Sequence, residues 1–370
     1  MNLEKVVIYD IEIFKHDFLL VFKDINKNEV ATFHNEVATE NFNPFLCDEL
    51  GIKIYNSKGS YIVKLEDIVY SQILVGYNNY YYDDRIIQEF LSMLNKDIAY
   101  INKRIKQVND LIIGNKFTTR FRNEFVSLDV FQQIDVGRPS LKMIEANKGI
   151  SIEESTVPFD IDRPLTEEEL AATVYYCNYD VDQTIDIYKD RIHTYFVPKI
   201  NLVKRVIKYE KDFSRYLRFN TTTLVGNLFK QDDYGETELV GRHVYDVVPA
   251  EVKQAWLNFK DNLFINTNKN NEAHIVGEHK NISVKEIECD IEFGYGGLHG
   301  VPVENKGNII VAKDVKLLDV ASLYPTIIGN LKLLGIYTDD YIQMKYDRLK
   351  VKHTDKPLSD SLKLILNSTY

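Results

Sequence analysis

Three short runs rich in β-branched and aromatic residues, 6–13, 18–23 and 30–33, follow one another with only the polar turns Lys15-His16-Asp17 and Asn26-Lys27-Asn28 between them. Links this short join antiparallel neighbours, so the chain is predicted to open as a three-stranded meander. A further apolar run at 73–77 precedes a helical pattern over 83–94. Another strand candidate at 125–130 precedes a short helix beginning near Ser140. Strands first in a meander and then alternating with helices predict a mixed α/β sheet. Thr166-Glu-Glu-Glu169 is a capping box, from which a long helix is expected to run to about Arg191. The basic, polar stretch 96–123 reads as a helix and loop decorating the sheet edge. Beyond it, helices are expected near 199–217 and 250–259, a Gly-rich knot at 294–300, then a strand at 315–320 with a helix opened by Pro325.

The chain carries 45 Lys and Arg against 55 Asp and Glu, a formal charge of -10. A protein bound to DNA mainly through phosphate neutralisation leans the other way, so tight independent DNA binding is disfavoured. A local exception lies at 199–218, where Lys204, Arg205, Lys208, Lys211, Arg215 and Arg218 gather; a solvated helix face and a phosphate-tracking face explain it equally. Cys47, Cys177 and Cys289 match no metal-ligand spacing, fit a reducing compartment and receive no function. No leader opens the chain, and its most apolar late stretch, 317–337, is broken by Asp319, Pro325, Asn330 and Lys332. Neither secretion nor membrane spanning is supported, and a cytoplasmic location is the default expectation.

Tyr9-Asp10-Ile11-Glu12 lies inside the first strand, where a period of two puts both carboxylates on one face. Buried together, such acids are costly unless a cation lies between them, and a divalent metal with a preference for oxygen ligands is the usual solution. Taken alone, the pair reads first as a solvated strand edge. Two further signals change that. Gly76-Tyr-Asn78-Asn-Tyr-Tyr-Tyr82-Asp83 sets an acid at a strand-to-helix junction, and Tyr176-Cys-Asn-Tyr-Asp180 sets a tyrosine and an acid one helical turn apart.

In these residues the chain resembles the proofreading 3′-5′ exonucleases of B-family DNA polymerases, whose motifs read D-x-E, N-x-x-x-(F/Y)-D and Y-x-x-x-D in this order. The resemblance implies a ribonuclease H-like domain over 1–195. It also implies two Mg²⁺ ions, with Mn²⁺ as substitute, held by Asp10, Glu12, Asp83 and Asp180 on the order of 4 Å apart. Tyr176 would orient the attacking water. Asn78 and Tyr82 would hold the 3′ strand, the Tyr82 ring offering a stacking surface. Ser140 and Leu141 match the family's strand-binding element, with Ile144 as its apolar position; Ser140 also suits a helix N-cap. Lys142 beside them could meet a phosphate. Asp84, Tyr175 and Tyr179 offer alternative registers but fail the combined spacing, and Asp182 should face away from Asp180.

Asp319-Val-Ala-Ser-Leu-Tyr-Pro325 resembles polymerase motif A, D-x-x-S-L-Y-P. By that resemblance Asp319 holds a catalytic metal, Ser322 and Leu323 lie along the incoming dNTP, and Tyr324 excludes a 2′-hydroxyl. Lys363-Leu-Ile-Leu-Asn367-Ser-Thr-Tyr370 resembles motif B without its final Gly. There Lys363 and Asn367 would bind the dNTP and Tyr370 would pack under the nascent pair. The segment Asp319 to Lys363 implies short fingers of the phage type, with Arg348 and Lys350 as further phosphate candidates. Gly296 and Gly297 resemble a Y-x-G-G element that contacts template DNA, though Gly294 stands where the family has Tyr and a tight turn explains the knot equally well.

The implied organisation is the exonuclease domain, a connecting region with the start of the palm over 196–313, and motif A with fingers over 314–370, an incomplete α+β palm. Motif C and the thumb are missing from the sequence, so the isolated chain is expected not to polymerise without a second polypeptide that supplies them, and Leu364, Ile365 and Leu366 are expected to lack part of their packing surface. DNA, as a single-stranded 3′ end and as primer-template, is the expected partner. A non-catalytic subunit of a split polymerase and a stand-alone exonuclease acting on RNA are the alternatives.

Overall fold

The computed structural model describes residues 3–57, 59–122, 124–133, 139–230, 250, 254, 264–267, 273–276, 280–284, 289–294, 297–302, 313–314, 316 and 322–369. It divides into two compact units, Met1–Asp233 with Ile336–Tyr370, and Tyr234–Gly335.

The first unit opens as the sequence predicts. β1 (Val7–Ile13), β2 (Phe18–Asp24) and β3 (Glu29–His34) pair antiparallel in sequence order. Asp24 closes the second turn: its Oδ1 accepts the Asn26 and Asn28 amides, both at 2.8 Å, while Lys27 takes a left-handed φ of 67°. A small three-stranded sheet follows, made of β4 (Ala38–Thr39), β5 (Ile54–Ser57) and β6 (Ser60–Lys64), with α1 (Pro44–Leu50) between β4 and β5 and α2 (Leu65–Ser71) after β6. β7 (Ile73–Gly76) then lies parallel to β1. After α3 (Asp83–Leu91) and α4 (Ile98–Ile113), β8 (Val126–Asp129) lies parallel to β7. The result is a mixed α/β fold around a five-stranded mixed sheet of order β3-β2-β1-β7-β8.

Alternation along β1 separates core from site. Val7, Tyr9, Ile11 and Ile13 join one apolar cluster with Ile86, Ile87 and Phe90 of α3 and Ile101, Ile105 and Val108 of α4. Each such side chain contributes roughly 1.5–3 kcal/mol on burial. A one-residue slip would exchange that set for Asp10 and Glu12, so the register is fixed. The opposite face, with both acids, meets α6 (Glu167–Arg191), which follows the short α5 (Leu141–Asn147). The capping box is formed as expected: Thr166 Oγ1 accepts the Glu169 amide at 3.2 Å, and Glu169 accepts the Thr166 amide at 2.9 Å.

Downstream the structure departs from expectation. α6 continues through a π turn, Ile192–Phe196, into α7 (Val197–Val206), and the first unit extends to Asp233, so the domain boundary expected near residue 195 falls inside an unbroken helical run. The single helix expected over 199–217 is broken at Ile207, where ψ is 139°, and restarts as α8 (Phe213–Leu217), followed by α9 (Thr221–Leu228).

The second unit holds β9 (Phe264–Thr267) paired with β10 (Ala273–Val276), and β11 (Lys280–Val284), β12 (Cys289–Gly294) and β13 (Gly297–Pro302) in one antiparallel sheet. The Gly-rich knot sits at the β12–β13 junction, where Gly294 pairs with Gly297. Here α10 (Leu323–Asn330) starts two residues before Pro325, with Ser322 at its N-cap in a left-handed conformation.

Two late helices, α11 (Thr338–Val351) and α12 (Lys356–Asn367), return to the first unit, α12 packing on α7. Ile365 and Leu366 are thereby buried, and the Tyr341 hydroxyl donates to the Leu366 carbonyl at 3.1 Å. The expectation of a missing packing surface is therefore corrected for Ile365 and Leu366, because α7 and α11 supply one, while Leu364 is only half-buried. Among the described residues no helix is long and apolar enough to cross a membrane.

Candidate metal centre

Three elements bring the acids together. Asp10 and Glu12 project from β1 toward α6, Asp83 is the first residue of α3, and Asp180 lies on α6. All four line one open cavity of about 410 Å³, with Asn78, Tyr82, Lys106, Asn109 and Phe159 among its other walls. Asp83 and Asp84 stand in the first turn of α3, the end of a helix where the dipole favours negative charge. The turn before α3 requires Gly76, since a Cβ there would lie 2.7 Å from Asn79 Cβ. Asn79 uses the space to donate to Asp84 Oδ1 at 3.0 Å.

Asp83 and Asp84, neighbours in sequence, have different fates. Asp84 is fully buried beneath the sheet, accepting from Tyr9 at 2.5 Å and from Ser127 and Arg218. Asp83 instead lines the cavity. Asp182 does face away, pairing with Lys23 at 2.8 Å.

The pocket is electrostatically costly without a cation. Burial, then the charge of Asp180, pushes the Asp10 carboxyl up to about 7. Glu12 and Asp83 are also raised, first by burial and then by Asp10. Both are more than nine-tenths buried, and among the described residues no side chain donates a hydrogen bond to either. Oxygen donors held in this state suit a hard divalent ion. Ligand atoms of Asp10, Glu12 and Cys177 lie within 4.8 Å of one another, a buried grouping able to hold a metal ion.

Cys177 was assigned no role from sequence, yet its thiol donates to Asp10 Oδ2 at 3.8 Å. Its spacing of three from Asp180 on one helix was the available signal. Lys142 takes a place the sequence did not specify. Its ammonium lies 2.7 Å from Asp180 Oδ1, 3.9 Å from Glu145 Oε2 and 4.7 Å from the Tyr176 ring centroid. Burial and then the charge of Asp180 push the Tyr176 phenol above its usual range.

Asn78 lines the cavity with φ at 59°, its amide donating to Asp129 Oδ1 at 2.8 Å. Tyr82 also lines it, but its hydroxyl is committed to Asn109 Oδ1 at 2.5 Å, so only its ring is available to a ligand. Phe159, which sequence reasoning passed over, adds a 44% exposed ring to the same wall. Ser140 caps α5 by accepting the Met143 amide at 3.2 Å, and Leu141 opens that helix half-buried.

The chain finds no match among family models, curated proteins or solved structures.

Asp319, Gly296 and Tyr370 lie outside the described residues. Gly297 begins β13, while Leu323 and Tyr324 are about half exposed at the start of α10. Lys363 and Asn367 share the exposed face of α12, as their spacing of four predicts. Lys350 bonds Asp347 at 3.4 Å. The basic cluster at 199–218 is divided: Lys199 is buried against Gln132, and Arg218 is enclosed between the Tyr80 and Phe121 rings, at 4.0 and 3.8 Å from their centroids. Neither is solvated or free to track phosphate, which corrects that reading for these two residues.

Proposed function

We propose that the acid pocket is a two-metal 3′-5′ exonuclease site acting on the end of a single DNA strand, carried in the amino-terminal part of a B-family DNA polymerase. The observation that carries this reading is the convergence of Asp10, Glu12, Asp83 and Asp180 on one open cavity, from positions spread over most of the first 180 residues. The mixed order β3-β2-β1-β7-β8 is compatible with the ribonuclease H-like arrangement that the sequence resemblance implies.

The four acids would hold two Mg²⁺ ions, or Mn²⁺ in their place. Bound there, such ions supply Lewis-acid stabilisation of charge on the scissile phosphate and the departing 3′ oxygen. Tyr176 orients the attacking water from α6. Lys142, paired with Asp180 at 2.7 Å, would compensate part of the charge the substrate brings. The rings of Tyr82 and Phe159 give the terminal bases flat apolar surfaces, and Asn78 bonds the strand between them. Kinship to polymerases rests on the heptad Asp319 to Pro325, in which Asp319 would hold a metal and Ser322, Leu323 and Tyr324 would meet the dNTP; Lys363 and Asn367 extend the likeness.

Incubation with 5′-labelled single-stranded DNA and Mg²⁺ or Mn²⁺ tests the reading. Stepwise shortening from the 3′ end is expected, and Asp10→Ala with Glu12→Ala should abolish it. Equal degradation by the doubly substituted protein would refute the assignment. Matched RNA strands in parallel decide between the DNA and RNA versions.

A further inference from the structure

A second open cavity, of about 370 Å³, is lined by Arg120, Phe121, Arg122, Lys211, Asp212 and Arg215 and shares no lining residue with the acid pocket. Its four cations are exposed. Arg122 has Glu124 at 3.3 Å, whereas among the described residues Arg120, Lys211 and Arg215 form no ion pair with a carboxylate. In a chain where acids outnumber bases 55 to 45, a concavity lined by four cations and the single acid Asp212 differs from the average surface.

The floor beneath them is packed and hydrogen-bonded. Phe121 is buried between the Arg218 guanidinium, 3.8 Å away, and Phe125, 5.4 Å away. The Arg122 amide donates to Gln88 Oε1 at 2.6 Å, and the Ser214 hydroxyl ties α8 to the Phe125 carbonyl at 2.6 Å. Arg122, and α8 with Arg215, are thereby tied to neighbouring segments, which lowers the ordering cost of binding an anion.

We propose that this cavity is a second phosphate-binding site, which holds the phosphodiester backbone of a single nucleic-acid strand outside the acid pocket. Guanidinium forks match phosphate oxygens in pairs, and three of the four cations are arginines. Beside Lys211, 5.5 Å from its ammonium, stands the 64% exposed ring of Tyr209, a surface for stacking a base. An acidic peptide would engage the cations and leave that ring unused, so a strand is the better fit. The site needs neither metal nor cleavage, and it stands whether or not the acid pocket is a nuclease.

The test is fluorescence anisotropy of the full chain in EDTA with a labelled oligothymidylate of about 20 nucleotides and a matched oligouridylate, titrated with salt. Arg120→Gln with Arg215→Gln should weaken binding at least about tenfold and reduce the slope of log affinity against log salt by roughly 1.4, at roughly 0.7 for each phosphate no longer neutralised. Arg120→Lys with Arg215→Lys should restore the slope. The control, Lys204→Gln with Arg205→Gln on the exposed part of α7, should change neither. Weakening with one strand or with both names the sugar. No weakening with either overturns the proposal. So does an oligoglutamate of equal charge that competes as well as the strand, since that result assigns the cavity to an acidic protein.

Discussion

Lys142 holds its ammonium 2.7 Å from Asp180 Oδ1, placing an internal cation at the edge of a pocket built from carboxylates. Glu145, 3.9 Å away, is almost fully buried, and among the described residues neither of its carboxylate oxygens has a hydrogen-bond partner. Lys142 thus stands between two acids and offsets part of the upward push that burial, and then neighbouring acids, exert on Asp10 and Glu12.

An ammonium and a divalent ion compete for the same carboxylate. Lys142→Met should therefore tighten Mn²⁺ binding, by roughly tenfold or about 1.4 kcal/mol, in a calorimetric titration. On the proposed nuclease the same substitution should slow turnover, because the substrate phosphate is then without its ammonium partner. Weaker Mn²⁺ binding by the variant would contradict the competition.

Beneath the pocket, Arg218 bonds the buried carboxylate of Asp84 and lies between two aromatic rings. Removing one partner of such a pair leaves an uncompensated charge. Arg218→Met is expected to lower stability by about 3 kcal/mol in urea unfolding. Adding Asp84→Asn should recover part of that loss, because the residual charge is then gone. A double variant no more stable than the single one would place the effect in packing instead.

Lys199 gives a stability signature in pH. Burial lowers its ammonium from 10.5 to about 7. Above about pH 7 the folded chain holds Lys199 neutral, while the unfolded chain keeps it protonated up to about 10.5. The unfolded state then binds more protons, so stability should rise with pH across that window. Comparing melting temperatures at pH 7 and pH 9 checks this: the rise expected in the parent should shrink in Lys199→Met.

Cys177 gives the pocket a soft donor among hard ones. Cys177→Ser should weaken Cd²⁺ binding while leaving Mg²⁺ binding unchanged, measured by competition against a metal indicator. Equal loss for both ions would mean that the substitution disturbs α6 rather than removing a ligand.

What the sequence made legible was local. Strand alternation put Asp10 and Glu12 on one face, the capping box set the start of α6, and helical spacing set Tyr176 over Asp180. What it hid depends on contacts between distant segments. The tie of the Tyr82 hydroxyl to Asn109 spans 27 positions, and the pair Arg218–Asp84 spans 134. No periodicity encodes either. Lys199 and Arg218 look like solvated cations because their burial is decided by aromatic rings from other elements. Strands β9 to β13 were missed because they are short and lie among polar turn residues.

The claim on which the rest depends is that four acids from β1, α3 and α6 make one cation site. Anomalous scattering from Mn²⁺-soaked crystals measures it directly. Two peaks are expected among Asp10, Glu12, Asp83 and Asp180, on the order of 4 Å apart, and both should vanish in Asp10→Ala with Glu12→Ala. Peaks elsewhere, or an ordered pocket without metal at saturating Mn²⁺, would contradict it.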